Sequence, residues 1–331
     1  MTTDPAPRAP RAFVAANFVQ ACCWFVPRLP LPGETLQATR MSVEPGGKGL
    51  NVAIGLQRLG LQVHALIGVG SDDAGQRCRA LLSSSGLPLD HVHVLPGHSG
   101  WGSGWIGEDG RNAIAVYPGA NLALTPEHAQ AAEADIARSA FVYAQFETSM
   151  PAVERVLQLA ARNGVATILN PSPWLAPGEP VRHCTRTLIV NEVEAAALLE
   201  PGEPLPAVPA DGVAEAGGDY AEPFAAAVTA LLPALGRRWP ALQRLVVTLG
   251  AAGAMLFRVR PDGESPAWLF EPAPRVDAVD TVGAGDAFAA AWCAAIARGL
   301  DERSALVKGN AAGAWVASRP GVLEPLLALS G

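Results

Sequence analysis

The stretch "DTVGAGDAFAAAW", residues 280–292, places Asp286 directly after two glycines at a predicted helix start. Free N–H groups and the positive end of the helix dipole make such a turn an anion site. A carboxylate there repels a phosphate, so its presence calls for a second atom to act on. Backbone amides of 283–286 can hold the oxygens of a transferring phosphoryl group while Asp286 accepts the proton of an attacking hydroxyl. Phosphoryl transfer needs that pairing of electrostatic cradle and positioned base. The plainer reading is a first-turn acid complementing the dipole, about 0.3–1 kcal/mol. It accounts for Asp286, but not for the paired glycines or for Asp280 and Thr281 ahead of them. A helix-end carboxylate is also expected to stay ionised.

A second stretch, "EPGGKGLNVAIGLQRLG" (44–60), sets Gly46, Gly47, Lys48, Gly49 and Asn51 ahead of an amphipathic helix. The glycines permit close backbone approach to a ligand. Asn51 reads equally as the cap of that helix, and Lys48 by itself as a solvated charge. Neither stretch is a standard nucleotide loop. In the first, Phe288 stands where a dinucleotide fingerprint needs its third glycine, and no Lys-Ser/Thr follows. In the second, Ser42 takes the first glycine position of a Walker A loop and Gly49 follows the lysine.

The elements that must position these residues follow from apolar runs. "LQVHALIGV" (61–69), "AFVYAQ" (140–145), "VATILN" (165–170), "RTLIVN" (186–191) and "LQRLVVTLG" (242–250) read as strands, with a helix at about 150–163 between two of them. Continuous apolar strands separated by helices predict a three-layer α/β/α fold with a mostly parallel central sheet. Ligands in such folds bind beyond the carboxyl ends of the strands, where "NPSPW", "NEVE" and "TLGAAG" fall. "RAFVAANFVQACCWFV" (11–26) reads as two buried strands, because Asn17 and Gln20 interrupt it and "PRLPLPGE" follows in place of a signal-cleavage site. Residues 97–110, with six glycines and two tryptophans, lie between alternating runs read as antiparallel strands. With 18–43 they predict a small β lid formed from about 18–43 and 95–118. Residues 1–10 are expected to be a disordered tail, 11–331 the folded domain, and 200–223 a mobile surface insertion.

Bulk composition narrows the classes. The chain has 331 residues, 50% hydrophobic and 17% charged, with net charge −7. It is too apolar for disorder, and the acidic balance argues against general nucleic-acid affinity. No other apolar run reaches membrane-span length. Five cysteines without a CxxC pair point to a reducing cytoplasm. His91 and His93 form an HxH pair with no third ligand nearby in sequence, and read as ordinary surface residues.

Together, "GGKGLN" and "DTVGAGDAF" resemble the N- and C-terminal signatures of the PfkB/ribokinase family of carbohydrate and nucleoside kinases. Between them, "YPGANLALTPE", "QFETS", "LNPSPW", "NEVEAAALL" and "VTLGAAGAML" resemble family segments in the same order, so the similarity runs from about 12 to 328. The resemblance implies Asp286 as catalytic base, with Gly283, Ala284 and Gly285 as the anion hole. It implies sugar contacts from Asn17, Gly47, Lys48, Asn51 and Glu147. Nucleotide contacts fall on Asn191, Thr248, Gly250, Gly253 and Asn310. Glu194 is implied to hold Mg²⁺ through water, and Asp280 and the Val282 carbonyl an activating K⁺. Asn191 and Glu194 also resemble a simple capping box. The implied activity is ATP-dependent phosphorylation of a sugar hydroxymethyl group by a cytoplasmic homodimer that pairs through the β lid.

One departure bears on the substrate. Ribokinases of this family grip the sugar with an aspartate in an Asn-x-Asp context, and here Val19 stands two residues after Asn17. A charged bidentate contact is worth several kcal/mol in a dry pocket, so its loss predicts a less polar or modified ligand. A nucleoside, stacked by Trp101 or Trp105, is the alternative substrate. A ligand-binding protein without turnover is the rival class, and an oxidoreductase is disfavoured by the missing GxGxxG.

Overall fold

The computed structural model describes residues 9–108, 111–200, 202–208, 220–260 and 267–329. The expected tail (save 9 and 10) and residues 201 and 209–219 of the expected insertion lie outside the described residues.

A nine-stranded sheet runs in the order β13-β12-β11-β10-β9-β8-β1-β4-β5. Its members are β1 (Arg11–Ala15), β4 (Gln62–Val69), β5 (Val92–Val94), β8 (Phe141–Gln145), β9 (Ala166–Asn170), β10 (Thr187–Asn191), β11 (Arg244–Thr248), β12 (Ala254–Arg258) and β13 (Trp268–Glu271). Strands from β11 to β5 pair in parallel, and β12 and β13 close that side antiparallel. Alternation along β1 shows why the run is apolar throughout. Ala12 and Val14 enter one buried cluster while Phe13 and Ala15 enter the other, so both faces are covered.

One cover is made by α1 (Lys48–Arg58), α2 (Asp73–Ser84), α9 (Ala284–Ala297), α10 (Glu302–Ala317) and α11 (Leu323–Leu327). The other is made by α3 (Pro126–Ala131), α4 (Glu133–Ala137), α5 (Met150–Arg162), α6 (Glu179–Cys184), α7 (Glu192–Leu199) and α8 (Ala221–Arg238). α8 starts inside the expected insertion, and Leu205, Val208 and Tyr220 pack on the core. That part of 200–223 is anchored by apolar burial, which its proline-rich composition concealed.

A second, four-stranded sheet has the order β3-β2-β6-β7, from β2 (Val19–Val26), β3 (Arg40–Gly46), β6 (Gly100–Gly107) and β7 (Asn112–Tyr117). β6 and β7 pair antiparallel, as do β2 and β3, while β2 and β6 pair in parallel. β2 is also only partly buried, because the second sheet has no helical layer over its full area. Its glycine-rich strand sits in a clear register, Val19 opposite Gly100 and Cys23 opposite Gly104.

The HxH pair is likewise not an ordinary surface feature. His91 is buried, with Nε2 2.9 Å from Asp135 of α4, and His93 packs its ring on His128 of α3 at 4.4 Å. His64 of β4, His91 of the turn before β5 and Asp135 of α4 bring ligand-type atoms within 4.8 Å of one another. Asp135 is already paired with Arg138 at 2.6 Å.

Candidate active site

Strand order reverses between β1 and β8: the chain proceeds from β1 to β4 on one side and from β8 to β11 on the other. The crevice beyond the carboxyl ends at such a switch point is where open α/β sheets bind ligands. Asn17 follows β1 and Glu147 follows β8, and they meet there. Asn17 donates from Nδ2 to Glu147 Oε2 at 2.8 Å, and its Oδ1 accepts the Gly49 N–H at 2.9 Å. A Cβ at Gly49 would stand 2.4 Å from Ala16 Cα, so only glycine lets α1 begin this close to β1.

Gly47, at φ 118°, is the N-cap of α1, and Asn51 is the helix's fourth residue. The reading of Asn51 as cap is therefore corrected. Its buried side chain donates from Nδ2 to Asp286 Oδ2 at 2.7 Å, across 235 positions of sequence. Asn51 Oδ1 has no partner among the described residues. One turn further along both helices, a Cβ at Gly55 would come within 2.8 Å of Ala290 Cβ. That close crossing of α1 and α9 brings Asn51 to Asp286.

Asp286 lies in the first turn of α9, whose N-cap is Gly283 at φ 79°. A Cβ on Gly283 would be 2.4 Å from Val322 Cγ1. The Ala284 N–H reaches the Thr281 carbonyl at 3.3 Å. Gly285 and Asp286 follow it in the turn whose amides lack helical acceptors.

Charge in the crevice is concentrated on one lysine and three acids. Burial raises the Asp286 pKa above the ordinary carboxylate value, against the opposing effects of Lys48 and the Asn51 hydrogen bond. Burial thus acts against the ionisation expected of a helix-end carboxylate, while Lys48 and Asn51 act for it. Burial raises Glu147 too, with Lys48 opposing and Asp286 reinforcing the rise. Burial would lower Lys48, but the fields of Asp286, Glu147 and Glu194 prevail and its pKa is raised. Lys48 is thus no solvated surface charge.

The remaining predicted residues ring this crevice or its far arm. Asn191 ends β10 and caps α7: Oδ1 accepts the Glu194 N–H at 2.8 Å and Glu194 Oε2 accepts the Asn191 N–H at 3.0 Å. The capping box is real, and Glu194 keeps its second oxygen and its field on Lys48. Thr248 ends β11 and bonds the Val190 carbonyl at 3.3 Å. Gly250 (φ 55°) and Gly253 (φ 120°) shape the next turn, and a Cβ at Gly253 would meet the Glu271 carbonyl at 2.2 Å. Asn310 donates to that same carbonyl at 2.8 Å, tying α10 to β13. Asp280 Oδ1 accepts the Val282 N–H at 3.0 Å, and the Val279 and Asp280 amides hang on the Ala317 carbonyl.

Sequence reading passed over Asn121. Fully buried, it accepts from the Phe18 N–H at 2.9 Å and donates to the Phe18 and Pro118 carbonyls at 2.7 Å, clamping the segment after Asn17. An asparagine inside "YPGANL" was the available signal. The cavity of about 460 Å³ lined by Leu59, Ala294, Trp315 and Leu329 lies elsewhere and touches none of these groups.

The sequence model of the pfkB family of carbohydrate kinases matches residues 19–328. The chain is 32% identical to a ribokinase of Bacillus subtilis, over 86% of this chain and 84% of that one. It is 28% identical to a ribokinase of Haemophilus influenzae, over 89% and 88% respectively. Among solved structures it is similar to an Arabidopsis thaliana ribokinase complexed with ribose and ATP, with TM-score 0.80 and 25% identity, covering 97% of this chain and 100% of that one.

Proposed function

This chain belongs to the pfkB family of carbohydrate kinases and is a ribokinase-like, ATP-dependent sugar kinase, and we propose that Asp286 is its catalytic base. A sugar hydroxymethyl oxygen attacks the γ-phosphorus of ATP. The bond from that phosphorus to the β,γ-bridging oxygen breaks, ADP leaves, and the hydroxyl proton passes to Asp286. The observation that carries this reading is the Asn51–Asp286 hydrogen bond at the start of α9. It fixes Oδ2 and leaves Oδ1 for the hydroxyl. The raised pKa makes Asp286 a better proton acceptor than an exposed carboxylate.

In this reading Gly283, Ala284 and Gly285 cradle the transferring oxygens, and Gly47, Lys48, Asn51 and Glu147 bind sugar hydroxyls. Asn17, with both amide atoms engaged, holds Glu147 and α1 in place. Asn191, Thr248, Gly250, Gly253 and Asn310 border the nucleotide. Glu194, buried and with Oε2 on the Asn191 N–H, has a second oxygen that meets no donor among the described residues and fits a water-mediated contact to Mg²⁺. When bound, Mg²⁺ supplies charge neutralisation on the β- and γ-oxygens. The second Asp280 oxygen and the Val282 carbonyl are hard donors that fit K⁺. The four-stranded sheet acts as lid, and a second copy of the chain pairs on it. No described helix is long and apolar enough to cross a membrane, and the described cysteines are free, in keeping with a cytoplasmic enzyme.

The direct test is ADP release on a panel of pentoses, with wild type and Asp286→Asn. The variant is expected to lose about 10²–10⁴ in kcat while still binding sugar by calorimetry. Near-wild-type turnover would remove Asp286 from this role.

A further inference from the structure

His64 is out of place on its own strand. Every other residue of β4 after Gln62 is apolar and buried. In register His64 lies beside Phe13 of β1, on the face covered by α3 to α8. Neither of its ring nitrogens makes a hydrogen bond among the described residues. Nδ1 is buried with no partner, and Nε2 stands 3.8 Å from Asp135 Oδ1, beyond hydrogen-bond length. A buried polar atom left unpaired costs about 1–3 kcal/mol, and a valine here would cost nothing of the kind.

Two more groups of the same chemical character converge on that ring. His91, from the turn before β5, has its ring centroid 6.0 Å from that of His64. Its Nε2 is 2.9 Å from Asp135 Oδ2 of α4. Ligand atoms at about 2.0–2.1 Å from a tetrahedral ion stand about 3.3 Å from one another. The 3.8 Å and 2.9 Å separations bracket that value, and all three ligand atoms lie within 4.8 Å of one another. Shifts of about half an ångström would equalise them. Arg138 holds Asp135 at 2.6 Å, but its side chain is 56% exposed. An ion pair so exposed is worth about 0.2–1 kcal/mol, which coordination to a metal exceeds. Burial lowers the His64 pKa against the field of Asp135, with His91 and Arg11 aiding the fall and Asp90 opposing it. The imidazole is therefore neutral at pH 7, the form that ligates a metal.

We propose that His64 Nε2, His91 Nε2 and one carboxylate oxygen of Asp135 bind a divalent transition-metal ion of the zinc class, with water in the fourth position. Two imidazoles and one carboxylate suit Zn²⁺, whereas Mg²⁺ takes oxygen ligands alone. The His64 and Asp135 side chains are 23% and 19% exposed, so solvent reaches the fourth position. The ion ties together β4, the turn before β5 and α4, and its binding adds to the stability of the fold. His64 is the third residue of β4, toward the amino end of the sheet, while the crevice lies beyond the carboxyl ends. The site is thus structural, and it stands independently of the kinase reading.

The test titrates Zn²⁺ into the nucleotide-free full chain against a chromophoric chelator, with thermal melts on the same samples. The proteins are wild type, His64→Gln, Asp135→Asn and the double variant Cys22→Ser with Cys23→Ser. Wild type is expected to bind one Zn²⁺ per chain and to melt at higher temperature with it. Millimolar Mg²⁺ and the cysteine changes should leave that binding unmoved. His64→Gln and Asp135→Asn should each weaken it at least tenfold and abolish the rise in melting temperature. Because His64 makes no hydrogen bond, its glutamine variant removes a ligand without breaking one, and circular dichroism checks that both variants are folded. X-ray absorption at the zinc edge should show nitrogen and oxygen at about 2.0–2.1 Å and no sulfur at about 2.3 Å. Absence of Zn²⁺ binding, sulfur ligation, displacement by Mg²⁺, or binding that His64→Gln leaves unchanged overturns the proposal.

Discussion

At the scale of single residues, the proposed mechanism rests on one buried carboxylate, Asp286, hydrogen-bonded by Asn51 in the field of Lys48. The Asp286 carboxylate must be ionised to accept a proton, and burial has raised its pKa. The acid limb of the kcat/KM profile is therefore expected above the pH where an exposed aspartate titrates. Lys48→Met removes the charge that opposes the rise, so the limb should move to still higher pH. Asn51→Leu acts in the same direction by removing a hydrogen bond to the charged form. A pH–rate series on the three proteins checks both, and a limb unmoved by Lys48→Met would detach it from Asp286. Sequence showed the turn around Asp286 plainly, because glycines, acid and helix start are adjacent. It could not show that Asn51 bonds Asp286. A cap and a partner for a distant carboxylate call for the same residue type near a helix start, and only the packing of two distant helices distinguishes them.

Elements set the distances that those residues need. α1 and α9 approach closely where Gly55 faces Ala290, one turn beyond Asn51 and Asp286. Gly55→Leu should push the helices apart, costing about 1–3 kcal/mol by overpacking and lowering kcat by weakening the Asn51 contact. Denaturant melts and steady-state kinetics on the same samples measure the two effects. Stability lost with kcat intact would mean that the crossing does not position the base. At the sheet edge, burial lowers the pKa of His93 to about 4, with His128 and His91 adding to the effect. The unfolded imidazole titrates near 6.5, so its contribution is present above that pH and lost as pH falls from about 6.5 toward 4. His93→Phe is expected to flatten the fall in melting temperature over that window. The central strands were legible as apolar runs, since burial on both faces removes alternation. The HxH pair was not, because it is α3 and α4, contributed from elsewhere in the chain, that cover it.

For the whole molecule, topology joins what the sequence left apart. β1 and β8 lie side by side at the point where strand order reverses, so Asn17 and Glu147 share a crevice across 130 positions. The second sheet stands beside it, and the face turned away from the 280–286 turn carries exposed Met41, Val43, Trp101 and Tyr117. An apolar face of this kind is expected to pair with a second copy. Sedimentation velocity should show a dimer for wild type and a monomer for Trp101→Glu combined with Val43→Arg. A monomeric wild type across micromolar concentrations would leave that face without its assigned partner. The proposed step is transfer of a phosphoryl group to a sugar hydroxyl with Asp286 receiving the proton. Rapid-quench single turnover, with enzyme in excess over labelled ATP and saturating sugar substrate, isolates that step. Phosphorylated sugar is expected to form quickly in wild type and at least a hundredfold more slowly in Asp286→Asn, with nucleotide binding retained. Equal single-turnover rates in the two proteins would contradict it.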